Sequence, residues 1–259
     1  MPKVVREDAY EGIVFLEYEE FDIGHPSFFV IGLPDAGLVG SISVGHLIRE
    51  LKPDEIGGIE IERLMPPVVI IKKGEPRPPL RLFKKENLVI LTSEAPIPPS
   101  SIYTLSNAIL EYSVRRRIDF IVSLTGVGSP NRIKGGKPNV FWTANGKQAL
   151  EEVARLGIPP FDDGLLIGPY AVILKEASRY LVNNIVLLVE SFPDIPDPEA
   201  AAEVIKTFSK LTGVSIDVSK LLEEAEMIRM RTRELMRHTA RVMNQMGKSM
   251  EMQPSLLYT

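Results

Sequence analysis

Residues 27–51, "SFFVIGLPDAGLVGSISVGHLIREL", decide the fold of this chain. The first part, Ser27–Leu33, is a short apolar run between two prolines, and such a run predicts a buried β-strand. The second part places Leu38, Ile42 and Leu47 near one face of a helix, which a Lys-Pro pair then ends. A buried strand that leads directly into a helix is the repeating unit of parallel α/β sheets.

The chain as far as Gly213 repeats this alternation of strands and helices. Further strands are predicted at Asn87–Glu94, 119–126, 138–144 and 184–191, and strand-like pieces at 56–62 and 67–71. Helices are predicted at 100–116, 145–157 and 197–213, with Ser100 and Asp197 as caps and Gly157 and Gly213 as stops, and a short strand followed by a helix at 164–181. The two consecutive strand-like pieces favour some antiparallel pairing. The pattern therefore predicts an α/β fold, a three-layer α/β/α sandwich that forms one core domain over 1–213.

A helix without internal Gly or Pro is predicted at 218–247, inside a C-terminal helical extension, 214–247. Its apolar and small residues recur at alternating steps of four and three: Leu221, Ala225, Ile228, Thr232, Leu235, Thr239, Val242 and Met246. This seven-residue repeat is typical of a bundle face, on a helix about 44 Å long. Two alternatives stay open: the stripe packs on the helix's own domain, or it projects and packs against a symmetry mate. Five arginines on this helix indicate a solvated face or a basic patch for an acidic protein surface.

Composition excludes several classes of function. The 259 residues carry a net charge of −4 and contain no cysteine, which argues against a generic nucleic-acid binder and excludes disulfides and thiolate chemistry. No apolar run approaches the roughly 20 residues of a membrane span, and the N-terminus lacks the layout of a signal peptide. We expect a soluble, cytoplasmic protein that binds neither nucleic acid nor membrane.

The glycine-rich turn after the first strand is the sharpest candidate for a ligand site. Gly32 and Gly37 have the spacing of a P-loop, but Leu38-Val39 stand where a P-loop has its Lys and Ser/Thr. Backbone N–H groups at this helix start suit an anion, so Gly32, Gly37 and Gly40 form a possible anion-binding loop. The alternative is a tight strand-to-helix turn whose glycines allow close packing.

Other candidate catalytic motifs are weaker. "TGVGSPNR", Thr125–Arg132, is a second glycine-rich strand end, without a titratable partner nearby in sequence. His25, His46 and His238 are isolated and lack metal-ligand spacing. The sequence therefore predicts no catalytic residue, no metal site and no cofactor.

The chain ends with "MGKSMEMQPSLLYT", residues 246–259. Residues 248–259 are predicted to form a flexible tail, since Lys248–Ser255 is polar and contains a helix-ending proline. The last three residues, Leu257, Tyr258 and Thr259, add an aliphatic side chain, an aromatic side chain and a carboxylate. Capture of a terminal carboxylate beside apolar pockets is a recognised mode of peptide binding. The tail is therefore the leading candidate site for a partner.

Two stretches carry a resemblance to a known family. "FVIGLPDAGLVGSISVGHLI" (29–48) and "SEAPIPPSSIYTLSNAILEY" (93–112) are similar to the proteasome assembly chaperone family, especially its archaeal members that activate the proteasome. The ending Leu257-Tyr258-Thr259 resembles the hydrophobic–tyrosine–any motif with which proteasome activators dock between α-subunits of the 20S ring.

The resemblance implies a nucleoside-phosphorylase-like core without its catalytic site, in a homo-oligomer, with a tetramer favoured. It also implies that Leu257 fills an apolar pocket, Tyr258 contacts the gating α-subunit and the Thr259 carboxylate pairs with a lysine. The expected function is a non-enzymatic, ATP-independent activator or assembly chaperone. Two alternatives stay open: an enzyme that binds a nucleoside or phosphate ester at the glycine-rich loops, and a scaffold that dimerises through 218–246.

Overall fold

The computed structural model describes residues 2–61, 68–72 and 74–247. Within them, eleven strands are present: β1 (Arg6–Tyr10), β2 (Ile13–Glu17), β3 (Phe28–Gly32), β4 (Asp54–Ile61), β5 (Ile70–Lys72), β6 (Glu75–Arg77), β7 (Leu80–Lys85), β8 (Leu88–Ser93), β9 (Phe120–Gly128), β10 (Val140–Asn145) and β11 (Asn183–Ser191). The α-helices in the same residues are α1 (Val39–Leu51), α2 (Ile102–Arg115), α3 (Pro130–Ile133), α4 (Lys147–Ala154), α5 (Pro169–Tyr180), α6 (Pro198–Thr212), α7 (Ser219–Glu223) and α8 (Ala225–Gln245).

Nine strands form one mixed sheet, in the order β1-β2-β4-β7-β8-β3-β9-β11-β10. The central strands β8, β3, β9 and β11 run parallel, and all the other pairs in the sheet are antiparallel. The remaining strands, β5 and β6, form a separate antiparallel hairpin. The mixed pairing predicted from the consecutive strand-like pieces is confirmed.

Helices cover both faces of this sheet because its central strands are apolar on both sides. Phe29 and Ile31 of β3 belong to the core beneath α2 and α5, while Phe28 and Val30 belong to the core beneath α1 and α6. This period of two along one strand is what a sheet buried on both faces requires. The predicted three-layer α/β/α architecture is confirmed.

Some elements differ from the sequence prediction. The N-terminal hairpin β1–β2 and the strand β7 were not predicted, although all three lie in the main sheet. The strand expected at the start of 164–181 is absent: 164–168 has no regular structure, and an apolar run this short looks alike in a strand and in a loop. Ser100 lies within a single 3-10 turn, Pro99–Ser101, instead of capping α2 directly. Gly157 has the expected positive φ, but α4 ends earlier, at Ala154.

The predicted helix at 218–247 is broken at Glu224, which leaves helical geometry with φ −93° and ψ 12°. The seven-residue stripe is buried or half-buried along both pieces. Leu221, Ile228, Met236 and Met243 join the core that contains α1 and α6. Of the two alternatives, the structure therefore shows the stripe packed on its own body. The division of the chain at Gly213 stays a prediction.

Candidate functional site

The candidate site lies at the carboxyl ends of the parallel strands. After β3 the chain passes through α1 to β4, on the β8 side of β3, and after β8 it crosses through α2 to β9 on the other side. In open α/β sheets, ligands bind in the crevice where the connections diverge in this way. Here that crevice lies between the ends of β3 and β9, where both glycine-rich stretches of the sequence are located.

The turn after β3 is built around the buried carboxylate of Asp35. One of its oxygens accepts a hydrogen bond of 2.8 Å from the backbone N–H of Ala36. The other accepts a hydrogen bond of 2.6 Å from the hydroxyl of Thr125 on β9. Gly37 follows with φ +62°, a conformation that glycine adopts without steric cost. Asp35 thus joins β3 to β9 and supplies a negative charge at the helix start, where an anion would otherwise bind.

Gly32 and Gly40 allow this turn to pack closely. A Cβ on Gly32 would lie 2.3 Å from the carbonyl oxygen of Gly40, and one on Gly40 would lie 2.4 Å from the carbonyl oxygen of Leu124. Both glycines are therefore required by close backbone approach alone. The anion-binding loop of Gly32, Gly37 and Gly40 stays a prediction, which the neighbouring Asp35 disfavours.

Beyond the end of β9, a buried arginine organises the stretch "TGVGSPNR". Arg132 donates two hydrogen bonds to the carboxylate of Asp197, at 2.7 and 2.9 Å, and another to Glu199. Its guanidinium also lies 4.7 Å from the ring centroid of Phe192 and donates to the carbonyl oxygen of Gly136. These contacts raise the pKa of Arg132, chiefly through the hydrogen bonds that it donates to Asp197. The ion pair fixes the loop after β9 to the start of α6.

A second buried carboxylate, Glu190 on β11, holds the same region from the other side. It accepts hydrogen bonds from the Ser129 hydroxyl at 2.7 Å, the Asn131 amide at 2.6 Å and both the backbone and the side chain of Asn139. Burial raises the pKa of Glu190, but these hydrogen bonds outweigh burial and hold the pKa below its ordinary value. Ser129, Asn131 and Asn139 all donate to this one carboxylate. The arrangement is therefore suited to holding the loop rather than to transferring a proton.

This pair of networks was not predicted from the sequence. Glu190 was seen only as part of a strand and Asp197 only as a helix cap, which the structure confirms with an Ala200 N–H donor at 3.2 Å. Each carboxylate lies about sixty residues from its partners in the chain. No local motif marks such a contact, so only the sheet order brings these residues together.

The last turns of α8 lie over the ends of β3 and β8, on one side of this crevice. Thr239, Val242, Met243 and Met246 lie against residues that follow β3 and β8, among them Pro34 and Ile97. The cavity that remains between them measures about 10 Å³, which is roughly the room that one water needs. The space on the β3 side of the crevice is therefore filled by the chain's own side chains.

The other predicted residues are placed as follows. Leu257, Tyr258 and Thr259 lie outside the described residues. His46 is buried, with its Nε2 at 2.7 Å from the carbonyl oxygen of Asp217. Throughout 2–61, 68–72 and 74–247, no three acidic or histidine side chains come together as a metal site. No helix in these ranges combines the length and the apolar composition needed to cross a membrane.

Comparison with known proteins supports the resemblance seen in the sequence. Residues 29–236 match the model of the PAC2 family. An uncharacterized protein of Methanocaldococcus jannaschii is 26% identical over 242 residues, which cover 93% of this chain and 98% of the relative.

Two solved structures from Pyrococcus furiosus share the fold. PbaA, described as an archaeal homolog of proteasome-assembly chaperone, is 30% identical with a TM-score of 0.79, over 88% of this chain and 98% of PbaA. PbaB, described as an archaeal proteasome activator, is 23% identical with a TM-score of 0.73, over 87% of this chain and 99% of PbaB. The likeness to PbaB shows the fold alone. The family match and the likeness to PbaA agree with the sequence motifs, and the chain belongs to the PAC2 family.

Proposed function

We propose that this protein is a non-enzymatic, ATP-independent assembly chaperone or activator of the 20S proteasome. In this proposal its C-terminal Leu257-Tyr258-Thr259 docks into pockets between α-subunits of the ring. The observation that carries the proposal is the 30% identity to PbaA, a homolog of proteasome-assembly chaperone, over nearly the whole length of both chains. The ending of the sequence adds the means of contact.

The filled side of the crevice favours a binding protein over an enzyme. A substrate on the β3 side of the crevice would have to displace Met243, and the burial of this side chain stabilises the fold. The glycine-rich turn also carries Asp35 where a nucleotide would bring its phosphates. Docking of a tail needs neither a cavity in this protein nor ATP.

Each residue of the ending has a defined chemical role in the proposed contact. Leu257 supplies an aliphatic group for an apolar pocket, and Tyr258 supplies a large ring with a hydroxyl for a polar partner. The carboxylate of Thr259 offers two acceptor oxygens to a lysine at the pocket. A three-residue contact of this kind is weak by itself.

Several tails on one assembly would overcome this weakness. The proposed homo-oligomer, with a tetramer favoured, would raise the effective concentration of the second and later tails and increase avidity by about 10² to 10⁴. If the tails bind the open-gate ring better than the closed one, docking shifts the ring towards the open state. If they bind the free α-subunits equally well, the same contact holds subunits together during assembly.

The test is peptide hydrolysis by 20S particles, together with binding to isolated α-rings, with and without this protein. Deletion of Leu257–Thr259 is expected to abolish binding and leave the oligomer size in sedimentation unchanged. Tyr258→Ala should weaken binding strongly, whereas Tyr103→Ala, at a body tyrosine that is 59% exposed, should not. Undiminished binding of the truncated protein would overturn the proposal.

A further inference from the structure

A groove that the proposed function does not use lies between α8 and the loop that precedes α6. Ile195 and Pro196 form its loop side, and Arg229, Met230, Arg233 and Arg237 form its helix side. Its volume is about 420 Å³, which is enough for a few side chains of a partner. We call it the basic groove.

The apolar part of the basic groove is open to solvent. Met230 is 78% exposed and Ile195 is 53% exposed, while Met236 closes the floor at 2% exposure. An exposed methionine beside an exposed isoleucine is costly in water, and flexible methionine side chains recur at protein-binding surfaces because they adapt to different partners. The surface is therefore suited to receive an apolar side chain.

Three arginines form the basic side of the groove. Arg229, Arg233 and Arg237 are four residues apart and so share one face of α8. Arg229 is tied to Glu226 and to the carbonyl oxygen of Pro196, and Arg237 is paired with Glu234.

Arg233 is different from its neighbours, because it is exposed and forms no ion pair with any of the residues that the structure describes. It is thus free to bind a carboxylate from outside.

The charge of α8 contrasts with that of the whole protein. Ala225–Gln245 contains five arginines and two glutamates, in a chain with a net charge of −4. The local excess of positive charge attracts acidic partners to this helix and away from the rest of the surface.

We propose that the basic groove binds an acidic segment of another protein that presents an apolar side chain between carboxylates. The apolar side chain lies against Met230 and Ile195, and a carboxylate accepts hydrogen bonds from Arg233. Guanidinium groups bind carboxylates in a bidentate manner, and such charge-assisted bonds are about twice as strong as neutral ones.

A protein segment fits the groove better than a nucleic acid does. Single-stranded nucleic acids bind where aromatic side chains stack on their bases, and the groove has no aromatic side chain among its described lining residues. An apolar floor with one unpaired arginine matches an acidic, leucine-containing segment instead.

The basic groove is built from residues outside the C-terminal tail. Its arginines lie between positions 229 and 237 of α8, and the helix continues for about 12 Å along its axis from Arg237 to its last residue, Gln245. Binding at the groove can therefore be measured without the proteasome, and its failure would leave the proposed function untouched.

The test uses the full-length protein and a fluorescein-labelled dodecapeptide that alternates two glutamates with one leucine. Fluorescence anisotropy is expected to show saturable binding. Arg233→Glu should weaken it by about tenfold or more, the equivalent of losing one charge-assisted contact. Replacing the leucines of the peptide by serine should weaken binding by a similar factor.

The matched control is Arg231→Glu, which makes the same charge change at an exposed residue about 200° around the helix from Arg233. It is expected to weaken binding by less than about threefold, because it leaves the groove intact. If Arg231→Glu and Arg233→Glu weaken peptide binding equally, the effect comes from net charge alone and the proposal is overturned. So would the absence of saturation up to millimolar peptide, or tighter binding of an oligouridylate than of the peptide. Unchanged thermal unfolding of both variants confirms that they fold.

Discussion

Arg132 and Asp197 face each other across the carboxyl end of the sheet, joined by two hydrogen bonds of 2.7 and 2.9 Å. Both side chains are almost fully buried, so each depends on the other to compensate its lost hydration. Asp197 also caps α6. The pair therefore links the loop after β9 to the helix that starts after β11.

Loss of this arginine should destabilise the protein strongly. Arg132→Ala leaves the Asp197 carboxylate buried without its partner and is expected to lower the free energy of unfolding by about 3–5 kcal/mol. Arg155→Ala, which breaks an exposed pair with Glu152, should change it by less than about 1 kcal/mol. Urea unfolding measures both. Similar midpoints for the two variants would show that the buried pair contributes no more than a surface pair.

Replacing either of two glycines in the first strand–helix unit by alanine should change the stability of the protein, in opposite directions. Gly32→Ala places a Cβ against the backbone of Gly40 and is expected to cost about 1–3 kcal/mol of stability. Gly45→Ala lies in α1 with no atom within 4 Å of the new Cβ, and should stabilise the protein by about 0.5–1 kcal/mol. Thermal unfolding of the two variants gives the signs. A neutral Gly32→Ala would contradict the close approach.

Glu190 should make stability depend on pH in the acid range. Its pKa is lower in the folded protein than its ordinary value of 4.5, because hydrogen bonds to the ionised carboxylate outweigh burial. The stabilisation is therefore complete above pH 4.5 and is lost as the pH falls through the folded value.

Glu190→Gln removes this titration. We expect the variant to be less stable than the wild type at pH 6, with a difference that narrows as the pH is lowered towards 3. Chemical unfolding at a series of pH values measures the difference. If the free energies of unfolding of the variant and the wild type change in parallel with pH, Glu190 does not carry this pH dependence.

Two methionines on α8 test how this helix is held. Met236 is 2% exposed and Met230 is 78% exposed, on the same helix. Met236→Ala should lower the free energy of unfolding by about 2–5 kcal/mol, whereas Met230→Ala should change it by no more than about 0.5 kcal/mol. If both changes are neutral in urea unfolding, α8 is not packed on the body as described.

The central strands and the helices beside them could be predicted from the sequence. The runs at Phe28–Gly32 and Asn183–Ser191 are apolar on both faces, and Asp197-Pro198 and Gly213 mark both ends of α6. These signals are local, so they can be recognised without knowing what lies next to them. The weaker patterns of β1 and β7, at the antiparallel side of the sheet, were missed because only part of each strand is apolar. The apolar run in β2 was a recognisable strand signal that was not used.

The arrangement at the candidate site could not be predicted in the same way. The role of Asp35 depends on Thr125, ninety residues later, and the packing of Gly32 depends on how α1 crosses β3. The filling of the β3 side of the crevice by Val242 and Met243 likewise depends on where α8 lies. Such contacts are set by the sheet order, which sequence patterns alone leave open.

The packing of Met246 beside Ile97 has a geometric consequence for any partner of the last residues. It fixes the origin of the final twelve residues, 248–259, at one end of the sandwich. Fully extended, twelve residues span about 40 Å, so the Cα atom of Thr259 cannot lie outside a sphere of about that radius around Gly247. A receptor pocket must come within this sphere while the folded body stays outside the receptor, and the length of the tail thus sets the largest gap that the two molecules can bridge.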